Sequence, residues 1–530
     1  MRKSFILFGS MALAITSLSM SGCGGRGTKD DTYVDGKLEV SIRNLYFSQY
    51  SGGDAYLDYL ADKFGLSFKL STYDWANWQT QTNGAINADD MTDVFHANID
   101  SYNFANLYKF WAEEELAKPL PDDLSKWPNL KTMIENTSNI DALKLDGKLY
   151  GIPIAKNTTD YSTSFSPFTY VYRRDWAKEW GVYQENDEYT WAQFENLLSV
   201  FKTKLAEKTN SFALADVEWG YPSITNFYKQ VPHCFAQDEN GVYINNYTTK
   251  EYLRGLDKSK EFQGEGYYHS DQNSAPDGRM NENYYSNRVG VFYENLSYTN
   301  YNTLRQHLRE TNSSRKDFNL DDATAIMKIR SEADNKFALE GTDNWFSMTF
   351  FDYKISDEKQ AKLLDLFDWL LSEEGTRFAI FGMEDFDYIM VNGKPEIIEE
   401  NWPRGADGNR VGNTNGAKYL RYCVSLGYDT LEYDPVSDLK VVNYLNSWEE
   451  EMKTALANNQ LRVLKETAEV MWLTTPMKSL NSGSMRTTAL NNVMKYTYNK
   501  DLHTHDDFKG TFTSIWELVL DEINTALKKK

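Results

Sequence analysis

The first part of the chain after the N-terminus alternates between strand and helix patterns. Residues 38–42 and 66–70 alternate apolar and polar positions, which predicts two strands, and residues 57–64 place their apolar side chains on one face of a helix. A second helix is predicted over 75–87 and a third strand over 93–97. This β-α-β-α-β order predicts parallel strands, with ligand-binding groups at their carboxyl ends.

Later segments carry the same two patterns. Residues 149–154 form a short apolar run, and residues 169–172 are β-branched and aromatic, so that both are predicted strands. Thr190-Trp-Ala-Gln193 has the form of a capping box and opens a predicted helix. A further strand is predicted over 289–296, residues 345–351 form another apolar run, and the C-terminal quarter is predicted to be mostly helical.

Three motifs in this order resemble the extracellular solute-binding proteins of bacterial ABC importers, in particular the large sugar-binding group. They are Asp146-Gly-Lys-Leu-Tyr-Gly-Ile-Pro-Ile-Ala155, Thr169-Tyr-Val-Tyr-Arg-Arg-Asp-Trp176 and Gly382-Met-Glu-Asp-Phe-Asp-Tyr388. The resemblance covers most of the chain from Cys23 onward. It implies an α/β fold of the two-lobed periplasmic-binding-protein type, in which each lobe is a mostly parallel sheet flanked by helices and a hinge joins the lobes.

The resemblance also implies a domain division. Residues 37–155 and about 340–400 are expected to form lobe one, and residues 156–339 and about 401–530 are expected to form lobe two. In the family the first motif leaves lobe one and the chain then crosses the hinge, which places the hinge at Ile152 to Ala155.

The N-terminus carries an export signal. Arg2 and Lys3 precede an apolar run over 5–18, which is too short to cross a hydrocarbon core of ~30 Å and predicts a signal peptide over residues 1–22. Ser21-Gly22-Cys23 resembles a bacterial lipobox, which implies lipid attachment at Cys23; an ordinary cleaved signal with a chance cysteine is the alternative. Small and polar residues over 23–36 suit a flexible tether. We therefore expect a lipid-anchored protein on the extracellular face of the cell membrane, as in Gram-positive bacteria.

Composition narrows the range of partners. The 530 residues carry a net charge of −21, which argues against nucleic acid and against anionic ligands. Aromatic residues make up 15 % of the chain, an excess that suits the binding of flat, partly apolar rings. The other two cysteines of the chain are Cys234 and Cys423. In an oxidising exterior they could form a disulfide or stay buried as free thiols.

The catalytic and metal-binding motifs that the sequence lacks favour binding over catalysis. The sequence has no nucleophile elbow, no zinc-protease motif and no phosphate-binding loop. The cluster at His503 and His505 is expected to be an exposed loop, and Asp238-Glu-Asn-Gly241 a turn without calcium-loop spacing. Glu384 with Asp387 could serve a secreted carbohydrate-active hydrolase, the second hypothesis. No metal, cofactor or catalytic residue is predicted.

The expected ligand is an oligosaccharide held between the lobes. Sugars have apolar faces and hydroxyl rims, so their sites combine aromatic rings with amide, carboxylate and imidazole groups. The candidates at loop positions are Trp75, Trp78, His96, Asn98, Asp100, Trp219, Tyr221, Tyr293, Glu294, Asn295 and Trp345. Taken singly, each fits a core or surface role better. A peptide or another polar solute is the alternative ligand.

The resemblance further implies the partners of the protein. They are an ABC permease in the membrane and a separate cytoplasmic ATPase, which would supply the energy for import. We expect a monomer that contacts the membrane only through its lipid anchor.

Overall fold

The computed structural model describes residues 29–50, 54–75, 77–99, 105–158, 164–216, 222–232, 234–268, 279–402, 404, 415–465, 482–499, 501–512 and 514–528. Within these ranges the strands are β1 Tyr33–Val34, β2 Lys37–Arg43, β3 Leu66–Ser71, β4 Val94–Ala97, β5 Ile152–Ala155, β6 Ser164–Phe165, β7 Phe168–Tyr172, β8 Glu188–Tyr189, β9 Phe212–Ala215, β10 Phe235–Gln237, β11 Tyr243–Asn245, β12 Val289–Asn295, β13 Ala325–Ile329, β14 Phe337–Thr342, β15 Trp345–Phe351, β16 Tyr388–Val391, β17 Lys394–Ile397 and β18 Leu461–Leu464.

The α-helices in the same ranges are α1 Ala55–Phe64, α2 Trp78–Asn87, α3 Ala105–Glu113, α4 Pro128–Glu135, α5 Arg174–Glu179, α6 Trp191–Leu205, α7 Lys250–Gly264, α8 Arg279–Tyr285, α9 Tyr298–Thr311, α10 Leu320–Ala323, α11 Asp357–Leu371, α12 Glu373–Phe381, α13 Gly416–Arg421, α14 Leu439–Ala457, α15 Ser482–Met494, α16 His505–Lys509 and α17 Ser514–Lys528. Short 3₁₀ turns lie at Leu45–Gln49, Ile140–Leu143, Glu185–Asp187, Ser223–Phe227, Asn246–Thr248 and Tyr428–Thr430, and a π-helical turn lies at Lys495–Asn499.

The lobe-one sheet contains the three strands that the N-terminal pattern predicts. Strands β3 and β4 both pair with β2 in parallel, and β15 lies antiparallel between β4 and β5. Alternating side chains such as Val40 and Ile42 are buried beneath the helices. The ring of Phe95 on β4 stacks on that of Phe350 on β15 with centroids 5.3 Å apart. A strand from residues 345–351 therefore completes a sheet that residues 37–155 begin.

The lobe-two sheet has the order β8-β13-β7-β12-β9. Only β7 runs antiparallel to its neighbours in this sheet. Helix α6 covers one face with Phe194, Leu197, Leu198 and Phe201, all fully buried. Its capping box is formed as predicted, with the hydroxyl of Thr190 accepting the N–H of Gln193.

Three segments run side by side between the lobes. The backbone of Ala155 exchanges hydrogen bonds with Val424 and Leu426 at 3.0 and 2.8 Å on one side. On the other side the N–H of Lys156 donates to the carbonyl oxygen of Asn344 at 2.9 Å. Ile152–Ala155, where we expected the hinge, forms strand β5 of the lobe-one sheet, because it pairs with β15.

The last part of the chain contributes to more than one region. Ala417, Leu420, Cys423 and Val424 are buried in the lobe-one core, although we expected this segment in lobe two. Helices α15 to α17 instead pack with α7 and the β10–β11 hairpin around a separate core. The domain boundaries as a whole remain a prediction.

Two further features bear on the sequence expectations. Cys234 and Cys423 are buried in two different hydrophobic cores, and no disulfide joins them. Within the ranges that the structure describes, no helix is long and apolar enough to cross a membrane.

Candidate functional site

The carboxyl ends of the lobe-one strands carry a group of packed rings, here called the lobe-one aromatic cluster. Its members are Tyr46, Trp75, His96, Phe346 and Tyr422. The ring centroid of Tyr46 lies 5.5 Å from that of Trp75, 5.5 Å from that of His96 and 5.2 Å from that of Tyr422. Trp75 also lies 6.1 Å from Phe346 and edge-on to His96 at 6.3 Å. Segments distant in sequence therefore meet at one edge of the sheet.

Exposure differs sharply within this cluster. Trp75 is 45 % exposed, whereas His96 beneath it is only 1 % exposed. Tyr46, Phe346 and Tyr422 are half-buried. The other rings pack against one side of the indole of Trp75 and hold it in place, while its exposed part offers a flat apolar surface. Such a surface suits stacking against a ring of a ligand.

Burial determines the charge state of His96. Desolvation lowers the pKa of its imidazole from 6.5 to about 3, so the ring is neutral at physiological pH. Its Nδ1 accepts a hydrogen bond from the N–H of Leu45 at 3.4 Å, which leaves the proton on Nε2. His96 is therefore neutral and covered by the other rings, and its role as a direct ligand contact remains a prediction.

An irregularity in β15 lies close to this cluster. Strand β15 shifts register against β5 between Trp345 and Met348, and Ser347 has a φ of +65°. Such a bulge changes the direction of neighbouring side chains. The hydroxyl of Ser347 lies 3.5 Å from the amide oxygen of Asn98, a candidate that is half-buried at the end of β4.

The corresponding edge of lobe two holds a pocket of about 450 Å³, counting the space open to solvent. Tyr293 lies in its wall and is mostly buried, and its hydroxyl accepts a hydrogen bond from Nδ2 of Asn226 at 2.9 Å. Burial raises the pKa of Tyr293 well above its usual value, so the hydroxyl stays protonated. The lining residues are Phe168, Thr169, Tyr170, Asn226, Phe227, Tyr293, Met327, Lys328, Ile329, Phe337, Ala338, Leu339, Glu340, Trp448 and Met452.

Glu294 and Asn295 end strand β12 beside this pocket. Both are half-buried, and Oε1 of Glu294 accepts the N–H of Asn295 at 2.7 Å. Oδ1 of Asn295 accepts the N–H of Ser297 at 3.0 Å, which fixes the start of α9. The structure thus brings Tyr293, Glu294 and Asn295 to the edge of lobe two that the sequence predicts.

A buried carboxylate lies at the end of the neighbouring strand β9. Asp216 accepts hydrogen bonds from the N–H and the hydroxyl of Ser223, and the latter also accepts from the hydroxyl of Tyr170 at 2.5 Å. Burial raises the pKa of Asp216 from 3.8 to about 6, although hydrogen bonds from Ser223 and the hydroxyls of Tyr268 and Tyr498 oppose the shift.

Two of the predicted tryptophans lie in the core. Trp78 is 4 % exposed at the start of α2, and Trp345 is 3 % exposed, with its Nε1–H donating to the carbonyl oxygen of Ser138 at 3.2 Å. Large apolar side chains at the ends of strands pack inward when the helix or loop that follows covers them. Asp100, Trp219, Tyr221 and Cys23 lie outside the described residues.

The structure adds Tyr46, Phe346 and Tyr422, which sequence reasoning missed. Phe346 follows Trp345 in the apolar run 345–351, and reading that run as a strand would have placed their side chains on opposite faces. Tyr46 follows the first predicted strand and could have been found by the rule that placed Trp75. Tyr422 lies more than 300 residues further along the chain, and no local pattern connects it to Trp75.

The other clusters of ionisable groups have structural partners. His505 pairs with Asp257 at 3.0 Å on the surface, and Oδ1 of Asp238 accepts the N–H groups of Asn240 and Val242 in a turn. Asp387 is buried and accepts the hydroxyl of Tyr56 at 2.8 Å. Among the residues that the structure describes, no three His, Cys, Asp or Glu side chains are grouped so as to hold a metal ion.

Comparison with known proteins rests on structure, since neither a family model nor a curated protein matches the sequence. An extracellular solute-binding protein from Bifidobacterium longum subsp. infantis matches at 13 % identity over 93 % of this chain and 99 % of its own, with a TM-score of 0.62. The Streptococcus pneumoniae ABC-transporter substrate-binding protein FusA, an EF-hand mutant in complex with fructo-nystose, matches at 12 % identity over 93 % and 100 %, with a TM-score of 0.60.

A third solved structure has the same arrangement. The alginate-binding protein AlgQ2, without calcium ion, matches at 14 % identity over 94 % of this chain and 96 % of its own, with a TM-score of 0.56. Likeness at such low identity extends to the fold alone, but it covers both lobes. The predicted fold class is confirmed: the chain has the two-lobed α/β fold of solute-binding proteins.

Proposed function

We propose that this protein is the substrate-binding component of an ABC importer and that it captures an oligosaccharide between its lobes. One observation carries the proposal: the lobe-one aromatic cluster presents the exposed indole of Trp75 at the carboxyl ends of parallel strands. Ligands of open α/β sheets bind at these ends. The comparisons support the proposal, because the similar structures include an alginate-binding protein and an ABC-transporter substrate-binding protein in complex with fructo-nystose.

The composition of the two edges favours a neutral, hydroxyl-rich ligand. Trp75 offers an apolar face on lobe one, and Glu294 and Asn295 offer hydrogen-bonding groups on lobe two. This combination matches the apolar faces and hydroxyl rims of sugars. A net charge of −21 disfavours anionic saccharides through long-range repulsion.

The three segments between the lobes supply a means of coupling binding to transport. A ligand that contacts both edges binds the closed arrangement of the lobes more tightly than the open one, and it therefore stabilises the closed arrangement. Closure would present both lobes together to the permease, and a separate ATPase would drive import. Lipid attachment at Cys23 would keep the protein at the extracellular face of the membrane, beside that permease.

Calorimetry combined with solution scattering tests this function. Purified protein is titrated with nystose, chitotetraose and maltotetraose, with an alginate trisaccharide as the anionic comparison and a tetrapeptide as the alternative solute. We expect stoichiometric binding of a neutral oligosaccharide, recovery of that sugar intact, and a smaller radius of gyration on binding. Turnover of the sugar would establish a hydrolase instead, and binding of the peptide alone would overturn the sugar assignment.

A further inference from the structure

His96 lies beneath the other rings of the lobe-one aromatic cluster. It lies on β4 with 1 % exposure, while the indole above it is 45 % exposed. Its ring stacks on that of Tyr46 with a centroid distance of 5.5 Å and an angle of 25°. A buried polar side chain costs desolvation free energy that an apolar residue would avoid, and among the described residues Nε2 of His96 has no hydrogen-bond partner, so only a contact of Nδ1 offsets part of this cost.

That contact is the hydrogen bond from the N–H of Leu45 to Nδ1 of His96 at 3.4 Å. Leu45 begins the 3₁₀ turn Leu45–Gln49, and the next residue is Tyr46 itself. The N-cap residue Asn44 secures the same turn from the other side, since its Oδ1 accepts the N–H of Tyr46 at 2.9 Å. The first two N–H groups of the turn are therefore both held by buried side chains.

We propose that His96 is a positioning residue for the binding surface: through the N–H of Leu45 and the face of Tyr46, it sets the orientation of Trp75. His96 acts through its neighbours and does not touch the ligand. Tyr46 transmits the effect, because its ring packs edge-on against the indole at a centroid distance of 5.5 Å. The predicted effect on ligand affinity rests on the proposed function, whereas the predicted effect on hydrogen exchange in the turn does not.

Substitution of His96 by asparagine or by glutamine separates the role of its Nδ1 atom from the role of a buried polar side chain. The side-chain amide of asparagine reaches the place of Nδ1, whereas that of glutamine reaches the place of Nε2. His96→Asn therefore keeps an acceptor for the N–H of Leu45, and His96→Gln moves it away. Thr349→Val is the matched control, because Thr349 is the fully buried register partner of His96 on β15 and its hydroxyl is not hydrogen-bonded in the described structure.

Hydrogen exchange in the empty protein is the first measurement, with mass spectrometry of overlapping peptides that begin before residue 43 and so retain the label on the Leu45 amide. We expect the Leu45 amide to exchange about tenfold or more faster in His96→Gln and within about threefold of wild type in His96→Asn and Thr349→Val. Equal exchange in His96→Gln and wild type would overturn the proposal. The same result in both amide variants would also overturn it, because a purely structural role would not distinguish the two acceptor positions.

Affinity for nystose and chitotetraose is the second measurement. We expect His96→Gln to bind whichever glycan the wild type binds about fivefold or more weakly, while Thr349→Val binds it normally. A faster-exchanging turn with unchanged affinity would overturn the positioning role while leaving the proposed function intact. If wild type binds neither glycan nor the other sugars tested above, the proposed function fails, and exchange alone decides whether His96 holds the turn.

Discussion

The ammonium group of Lys156 lies 2.7 Å from the carbonyl oxygen of Asp343, and this contact joins the first segment between the lobes to the second. The same group donates to the hydroxyl of Thr342 at 2.9 Å. Burial lowers the pKa of Lys156 from 10.5 to about 8, with nearby Lys465 adding to the shift and the carboxylates of Asp343 and Glu449 opposing it. A half-buried lysine thus links two of the segments that run between the lobes.

The lowered pKa of Lys156 predicts that the stability of the protein depends on pH. The folded state loses the Lys156 proton near pH 8, whereas the unfolded chain keeps it until pH 10.5, so stability rises with pH between these values. Relative to Lys156→Met, the wild-type free energy of unfolding should rise by up to about 1.4 kcal/mol per pH unit in this window. Urea denaturation at pH 7.5, 8.5 and 9.5 measures the difference.

The control for the loss of one positive charge is Lys144→Met, at an exposed lysine. Parallel pH dependences for wild type and Lys156→Met would contradict the lowered pKa of Lys156.

Trp75 and Trp78 offer a matched pair for the binding surface. Trp75 is 45 % exposed and Trp78 is 4 % exposed. We expect Trp75→Ala to weaken oligosaccharide binding about tenfold or more while leaving the melting temperature of the empty protein near that of wild type. Trp78→Ala should unfold several degrees lower, because removing a buried tryptophan costs about 3–5 kcal/mol. Calorimetric titration and thermal unfolding measure both effects, and the reverse pattern would place the site elsewhere.

The raised pKa of Asp216 predicts that stability falls as the pH rises, which is opposite to the effect of Lys156. The folded pKa of Asp216, about 6, lies above the ordinary 3.8, so the folded state holds a proton that the unfolded chain has lost, and this stabilisation disappears as the pH rises to 6. Relative to Asp216→Asn, which resembles the protonated carboxyl, wild type should lose up to about 3 kcal/mol between pH 4 and pH 7. Asp58→Asn, at an exposed carboxylate, is the control. A constant difference across this range would refute the shift.

The lipid anchor is tested at Cys23. If Cys23 is acylated, Cys23→Ala should release the protein from the membrane fraction or leave its signal peptide uncleaved. Fractionation of cells followed by mass spectrometry of the mature N-terminus measures this. An unmodified N-terminus at another residue in the wild-type protein would be incompatible with the anchor.

The sequence by itself determined the local elements and their direction. Alternation and helical spacing fix which faces of β2 and α1 are apolar, and the helical crossovers between successive strands leave parallel pairing as the topology, which the structure confirms. The capping boxes and turn residues act over three or four positions and are therefore readable directly. The same reasoning placed Trp75 at the ligand edge of the sheet.

Only the tertiary structure decided which aromatic rings are exposed and which are buried. Trp75 and Trp78 are three residues apart with similar local surroundings, and their exposure depends on whether neighbouring segments cover them. The partners Phe346 and Tyr422 come from segments about 270 and 350 residues away, and Val424 beside Ala155 likewise joins distant parts of the chain. Burial and the pKa of His96, Lys156 and Asp216 follow from such long-range packing, because desolvation depends on everything that surrounds a group and not on its sequence neighbours.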